Sequence, residues 1–342
     1  MRENNFPTLS ELTIILVLRD RDKFTSRWLE YYTLINPKIN LIIADGSENR
    51  FFTRSESLEL AKNVKYFYDG PDIDIQTMIR KIKKSLSLVE TEFTILSSND
   101  DFYLLKGLAD AVEFLKENDD WHASAGIVRD FSILNSPKHS DDTYGSVRFG
   151  DVLYSSNSIS ESTPLKRVNQ FLLADESFWH AVYRTQTLYS IYVEAGKTQI
   201  NDLALYELFV NLKSAEIGKL HRNSKSLFML HQVHSQMEAY KLEKLDERDK
   251  KWRDELNSLL GSIFQSVNTF AEAPTYEYIV KLRQQKVEGT VPSRLRPVIE
   301  RLKYKYASSN FTFFINHLDP FTASIYRNQD VRRIIAFLKA LK

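Results

Sequence analysis

The chain has 342 residues, 43% of them hydrophobic, enough for one large domain or an α/β domain with a smaller helical one. Lys and Arg number 46 and Asp and Glu 45, so a net charge of +1 offers no global field for nucleic acid or an anionic surface. Cys is absent, which excludes disulfides and thiolate metal sites and is compatible with a cytoplasmic setting.

The first predicted element is Leu12–Leu18, an apolar run with β-branched residues, too short to span a bilayer and suited to a strand buried on both faces. FTSRWLEYYTLI follows as a helix ended by Pro37. Ile39–Ala44 reads as a second strand closed by the turn Asp45-Gly46-Ser47, Ser55–Lys62 as a short helix and Val64–Tyr68 as a third strand. Ile75, Met78, Ile79, Ile82 and Leu86 keep helical spacing, with Arg80, Lys81, Lys83 and Lys84 on the other face. Phe93–Ser97 is a fourth strand, followed by a helix over Leu105–Asn118 and a strand over Ala123–Val128.

Beyond Lys138 the composition turns polar and rich in Ser, Asp and Gly, as in a long loop or a hairpin, until Pro164 opens a helix. Phe178–Arg184 reads as a strand. Helices follow over TQTLYSIYVEAG and Asn201–Leu212, and the chain beyond Glu238 is helical and highly charged. Strands alternating with helices predict an α/β fold, a mostly parallel sheet flanked by helices, with a helical C-terminal extension. Ligands of such sheets bind beyond the carboxyl ends of the strands, which directs attention to Arg19-Asp20-Arg21, Asp45-Gly46-Ser47 and Asn99-Asp100-Asp101.

Adjacent carboxylates at Asp100 and Asp101 can hold a hard divalent cation, Mn²⁺ or Mg²⁺, leaving positions for phosphate oxygens. The alternative is that Asn99 or Asp100 caps the following turn. Arg19, Arg21, Lys219 and Arg222 can meet a diphosphate or simply be solvated. Trp179 and Tyr183 can stack on a sugar or fill the core. His221, His231 and His234 cluster late in the chain, where an imidazole can serve a metal or bond locally.

The ordered set Leu12–Leu18, then IIADGSEN, then FTILSSNDDF resembles the family-2-like glycosyltransferases of GT-A fold, in particular a bacterial branch acting on surface polysaccharides, over roughly residues 10–235. The resemblance implies a nucleotide-sugar and acceptor-binding domain over 1–235, a helical extension over 236–342, and inverting transfer of a sugar to a glycan or lipid-linked acceptor. Ala44 stands where the family commonly has an acid, leaving Asp45 for the nucleotide. By the same resemblance Asp101 and His231 or His234 would hold the cation, while Asp100, Asp45, Arg19 and Lys219 would serve the donor. Asn201-Asp202-Leu203 resembles the family's Glu-Asp motif, which makes Asp202 the expected general base, with a helix N-cap as its alternative and Glu207 in reserve. A non-catalytic scaffold of the same fold is the alternative function. The terminal helix, with Val331, Ile334, Ile335, Leu338 and Leu341 on one face and Arg332, Arg333, Lys339 and Lys342 around it, is expected to pack on the domain, on a second subunit or on the inner face of a membrane.

Overall fold

A computed structural model describes residues 6–35, 39–58, 60–134, 142–154, 157–174, 177–233, 250–266, 325 and 327–340. After a 3₁₀ turn at Pro7–Glu11 the chain alternates β1 (Leu12–Leu18), α1 (Asp22–Ile35), β2 (Asn40–Asp45), α2 (Arg54–Leu58), β3 (Val64–Tyr68), α3 (Ile75–Leu86) and β4 (Phe93–Ser97). Then come β5 (Phe102–Tyr103), α4 (Leu105–Glu117), β6 (Trp121–Leu134), β7 (Ser146–Tyr154), α5 (Pro164–Ala174), β8 (Val182–Arg184), α6 (Thr185–Ala195), α7 (Leu203–Ile217) and β9 (Lys219–Gln232). The described part of the C-terminal region contains α8 (Lys250–Ser266) and α9 (Gln329–Ala340).

One sheet runs through these strands in the order β3-β2-β1-β4-β8-β6-β9-β5, with β7 pairing on β6. The strands β1 to β4 are mutually parallel, β8 is antiparallel to both β4 and β6, and β9 is parallel to β6. This is the expected GT-A-like α/β arrangement. Its consequence for function is directional: β1, β2, β4, β6 and β9 all point their carboxyl ends to one edge. Strands β1, β2 and β4 are mostly apolar, as strands covered by helices on both faces are; every residue of β4 is buried.

Two local predictions need correction, and two stretches become definite. The polar stretch after Lys138 takes its hairpin alternative: it contains β7, a strand antiparallel to β6. Only Val182–Arg184 of the expected Phe178–Arg184 strand enters the sheet. The late histidines His221 and His231, left without an element by the sequence, lie on a 14-residue strand, β9. Finally, Lys81 leaves the solvated face of α3: it is buried, donates to the Leu18 carbonyl at 2.7 Å and pairs with buried Asp72. Burial outweighs the mutual attraction at both ends of this pair, raising the Asp72 carboxyl and lowering the Lys81 ammonium.

The terminal helix is also settled by packing. Val331, Ile334, Phe337 and Leu338 of α9 are buried against Tyr31, Phe102, Phe131 and Phe149, forming a second apolar cluster beside the main core. The face expected to meet a membrane or a second subunit is therefore covered by this chain itself. Among the described residues no helix is long and apolar enough to cross a membrane. Leu341 and Lys342 lie outside the described residues.

Candidate active site at the carboxyl edge of the sheet

The three strand-end segments singled out in the sequence meet and bind one another. At the end of β1, Asp20 and Arg21 both adopt left-handed backbone, with φ of 54° and 63°. Arg rarely takes this conformation, and such strain concentrates where geometry matters. The turn is fixed by the Asp20 N–H donating to Ser47 Oγ at 2.7 Å and by Glu48 N–H donating to Asp20 Oδ1 at 3.1 Å. It aims Arg21 at the acidic turn, where Nη1 donates to Asp100 Oδ2 at 2.8 Å. Arg19 is exposed at the same strand end, within charge range of Asp72 and Lys81.

At the end of β2, Asp45 is fully buried and holds its own loop. Oδ1 accepts the Ser47 N–H at 2.9 Å; Oδ2 accepts the Phe51 N–H at 2.8 Å and the Tyr66 hydroxyl at 2.5 Å. Both oxygens of the side chain expected to read the nucleotide thus serve the loop's conformation. Gly46 packs so closely on the Asp72–Lys81 pair that a Cβ there would collide with both side chains.

Beyond β4, Asn99, Asp100 and Asp101 are all buried. Asn99 donates to Thr25 Oγ1 at 3.0 Å, which ties the turn to α1. Asp101 is the centre of the site. Its Oδ1 accepts from His231 Nδ1 at 2.9 Å and from the Gln232 N–H at 3.1 Å. Its Oδ2 accepts the Ser98 hydroxyl at 2.6 Å, with His180 Nε2 at 3.7 Å. Burial opposes charge on Asp101, but the His231 charge beside it wins and lowers its pKa; the same pairing raises His231 to about 9, so the ring is an imidazolium at neutral pH. His180 goes the other way. Burial pushes it down to about 4, so it is neutral, with Nδ1 3.1 Å from the Tyr103 hydroxyl.

A buried cation stands behind the turn. Arg27 Nη1 donates to the Thr143 carbonyl and to Gln232 Oε1, both at 2.8 Å, and Nη2 to the Asp100 carbonyl at 3.3 Å. Its guanidinium lies over the Phe24 and Phe102 rings. Burial lowers it to about 10, which still leaves it charged at neutral pH.

The other expected residues divide. Lys219 starts β9 beside Trp121, at the opposite end of the strand from His231. It pairs with Asp120 and is removed from the donor role by the direction of its strand. His221 stacks on Phe114 at 3.5 Å and bonds Ser124, away from Asp101. Arg222 is buried and donates to the Gly126 and Ser177 carbonyls. Tyr183 is buried, with its hydroxyl on the Phe178 carbonyl, whereas Trp179 is half-buried against His180 with centroids 4.3 Å apart. Asp202 is the N-cap of α7: its Oδ1 accepts the N–H groups of Ala204 at 2.9 Å and Leu205 at 3.1 Å. His234 lies outside the described residues. Sequence reasoning missed His180 and Arg27. His180 sits inside an apolar run just before β8, and only the antiparallel β4–β8 pairing brings it to Asp101.

The expected cation does not fit the described residues as arranged. Asp100 is engaged by Arg21, and Asp101 accepts from Ser98, His231 and Gln232; His231 presents a proton to Asp101 through Nδ1. Among the described residues, no three His, Cys, Asp or Glu side chains gather as a metal-ligand set. Positive charge around the acidic turn comes instead from Arg21, Arg27 and His231.

No protein-family model and no curated protein matches the chain. Among solved structures, it is similar to S. aureus TarS 1-349 at 12% identity, covering 96% of this chain and 90% of that one, with a TM-score of 0.46. The same figures hold for S. aureus TarS 1-349 in complex with UDP-GlcNAc. Against the longer S. aureus TarS structure, identity is 13%, coverage 81% of this chain and 53% of that one, and the TM-score 0.45.

Proposed function

We propose that this chain is a glycosyltransferase that moves a sugar from a nucleotide sugar to an acceptor hydroxyl on a glycan or lipid-linked glycan, with inversion at the anomeric carbon. The observation that carries this reading is the joining of three strand ends at one edge: the strained Asp20-Arg21 turn reaches Asp100, and His231 at the far end of β9 reaches Asp101. The resemblance of the strand-end motifs to family-2-like enzymes supports it. In this reading Arg21 and protonated His231 face the charge that develops on a diphosphate leaving group, while Asp100 and Asp101 hold those cations in place. Arg19, exposed at the β1 end, steers the anionic donor.

The test is a thermal-shift screen of nucleotide sugars, followed by an assay of nucleotide release. At least one donor should raise Tm and be turned over. One observation favours the second reading, a binding scaffold: Asp100 and Asp101 already have partners within the chain. A donor that raises Tm but yields no free nucleotide with any glycan offered is the result that reading requires.

A further inference from the structure

His180 reaches the acidic turn from a segment that the strand-end motifs do not include. It stands just before β8, with Nε2 3.7 Å from Asp101 Oδ2, while His231 Nδ1 donates to the other oxygen, Oδ1, at 2.9 Å. The two rings lie 6.5 Å apart, centroid to centroid, one at each oxygen of a buried carboxylate. Both keep part of their surface: 21% of the His180 side chain is exposed and 26% of His231, against none of Asp101. Solvent thus reaches the two imidazoles but not the carboxylate between them.

The hydrogen bonds fix what His180 offers. The Tyr103 hydroxyl donates its single proton to the Leu96 carbonyl at 2.8 Å. Toward His180 Nδ1, 3.1 Å away, the same oxygen can therefore only accept, so Nδ1 carries the ring proton. The ring is held in this orientation. Tyr103 is buried on β5, paired with β9, and Trp179 meets the imidazole edge-on at 4.3 Å. Nε2 keeps its lone pair. Its 3.7 Å from Asp101 is too long for a hydrogen bond, and among the described residues no group donates to it. Burial keeps the ring neutral, lowered to about 4. His231, as an imidazolium, presents only N–H groups. The two rings flanking Asp101 thus have opposite hydrogen-bonding character.

A bare lone pair beside a carboxylate repels an anionic oxygen and pairs with an O–H or N–H. The diphosphate of a nucleotide sugar has only accepting oxygens, which suit Arg21 and His231. A sugar hydroxyl, which can donate, suits His180. We propose that His180 Nε2 accepts a hydrogen bond from a hydroxyl of the transferred sugar and is a specificity residue for the donor. This rests on the glycosyltransferase reading. The sugar is bonded directly to the diphosphate, so a diphosphate held by Arg21 and His231 brings it toward the second imidazole. A sugar that lacks the hydroxyl leaves Nε2 covered and unpaired, and an unpaired polar group in a closed site is what makes such discrimination strong.

The full chain is titrated calorimetrically with UDP, GDP and dTDP and with their sugar conjugates. For the conjugate that binds, His180→Leu should weaken affinity by about 10-fold while leaving the matching diphosphate within about twofold of the parent. His180→Gln, whose Oε1 can accept in place of Nε2, should recover part of the loss. A ring that only fills space would weaken both ligands together. Equal losses for conjugate and diphosphate therefore overturn the proposal, as does a conjugate bound equally well by the parent and His180→Leu. Monodeoxy analogues of the sugar repeat the test on the unaltered protein. One of them should bind the parent more weakly than the full sugar does, and show no such deficit with His180→Leu. If every deficit is the same in both chains, His180 does not make the contact. If neither a diphosphate nor a conjugate binds the parent, the transferase reading itself falls. Conjugate binding that is indifferent to His180 removes the specificity residue alone.

Discussion

Gln232 links Arg27 to Asp101: its side-chain oxygen accepts from Arg27 Nη1 at 2.8 Å, and its backbone N–H donates to Asp101 Oδ1 at 3.1 Å. The central carboxylate of the site is thus held from behind by a cation that never reaches the carboxylate itself. Arg27→Met would leave the Thr143 carbonyl, Gln232 Oε1 and the Asp100 carbonyl without this donor. It should cost about 3 kcal/mol of stability in urea titration. Arg27→Lys should fall short of full rescue, because an ammonium lacks the planar fork that spans these acceptors.

Gly46→Ala probes the buried pair below the β2 loop. Its Cβ would collide with Asp72 and Lys81 side chains that are themselves buried, so neither can swing away into solvent. The variant should lose roughly 1–3 kcal/mol. Its donor-induced thermal shift should shrink as well, because the loop that fixes Asp20 through Ser47 moves with it.

The Asp101–His231 pair predicts a pH dependence of stability. His231 is raised to about 9 in the fold, from an ordinary value of 6.5. The stabilisation is complete below pH 6.5, falls between 6.5 and 9, and is gone above 9. At most it amounts to roughly 3 kcal/mol, counted once for the pair. Melting temperatures of the parent chain should decline across that interval, and His231→Gln should flatten the decline.

Glu207 gives a dependence confined to lower pH. Its folded value of about 7 exceeds the ordinary 4.5, so its contribution is complete below pH 4.5 and is lost as pH rises through 7. Glu207→Gln should therefore melt above the parent at pH 8 and with it at pH 4. Equal Tm differences at both pH values would contradict the raised carboxyl.

Because the described donors are engaged by Arg21, His231, Ser98 and backbone, nucleotide-sugar binding should survive chelation. Thermal shifts measured in EDTA and in Mn²⁺ should agree to within the error of the method. A shift seen only with Mn²⁺ would show that further residues complete a cation site.

The strands that carry the site were legible because each is a closed apolar run followed by turn residues. Leu12–Leu18, Val64–Tyr68 and Phe93–Ser97 have their expected bounds. What joins those strand ends was less legible. β9 was missed because NSKS interrupts its apolar character, and its register to β6 shifts at that place. Lys81 read as a solvated lysine because helical spacing cannot reveal that Asp72 and the Leu18 carbonyl wait for it. His180 had no local signal at all: its meaning comes from β8 running antiparallel between β4 and β6. Asp202 was legible as a cap from its position before an apolar helix. Glu207, five residues further on, reads as a solvated helix position, and its side chain is exposed.

The second apolar cluster has a consequence for how the acidic turn comes into being. Phe102 directly follows Asp101, and its wall is built from Tyr31 near one end of the described chain and from Phe337 near the other. During synthesis the turn is exposed long before that wall exists, since more than 200 residues separate Phe102 from Phe337. Removing α9 would therefore uncover an aromatic surface beside the acidic turn.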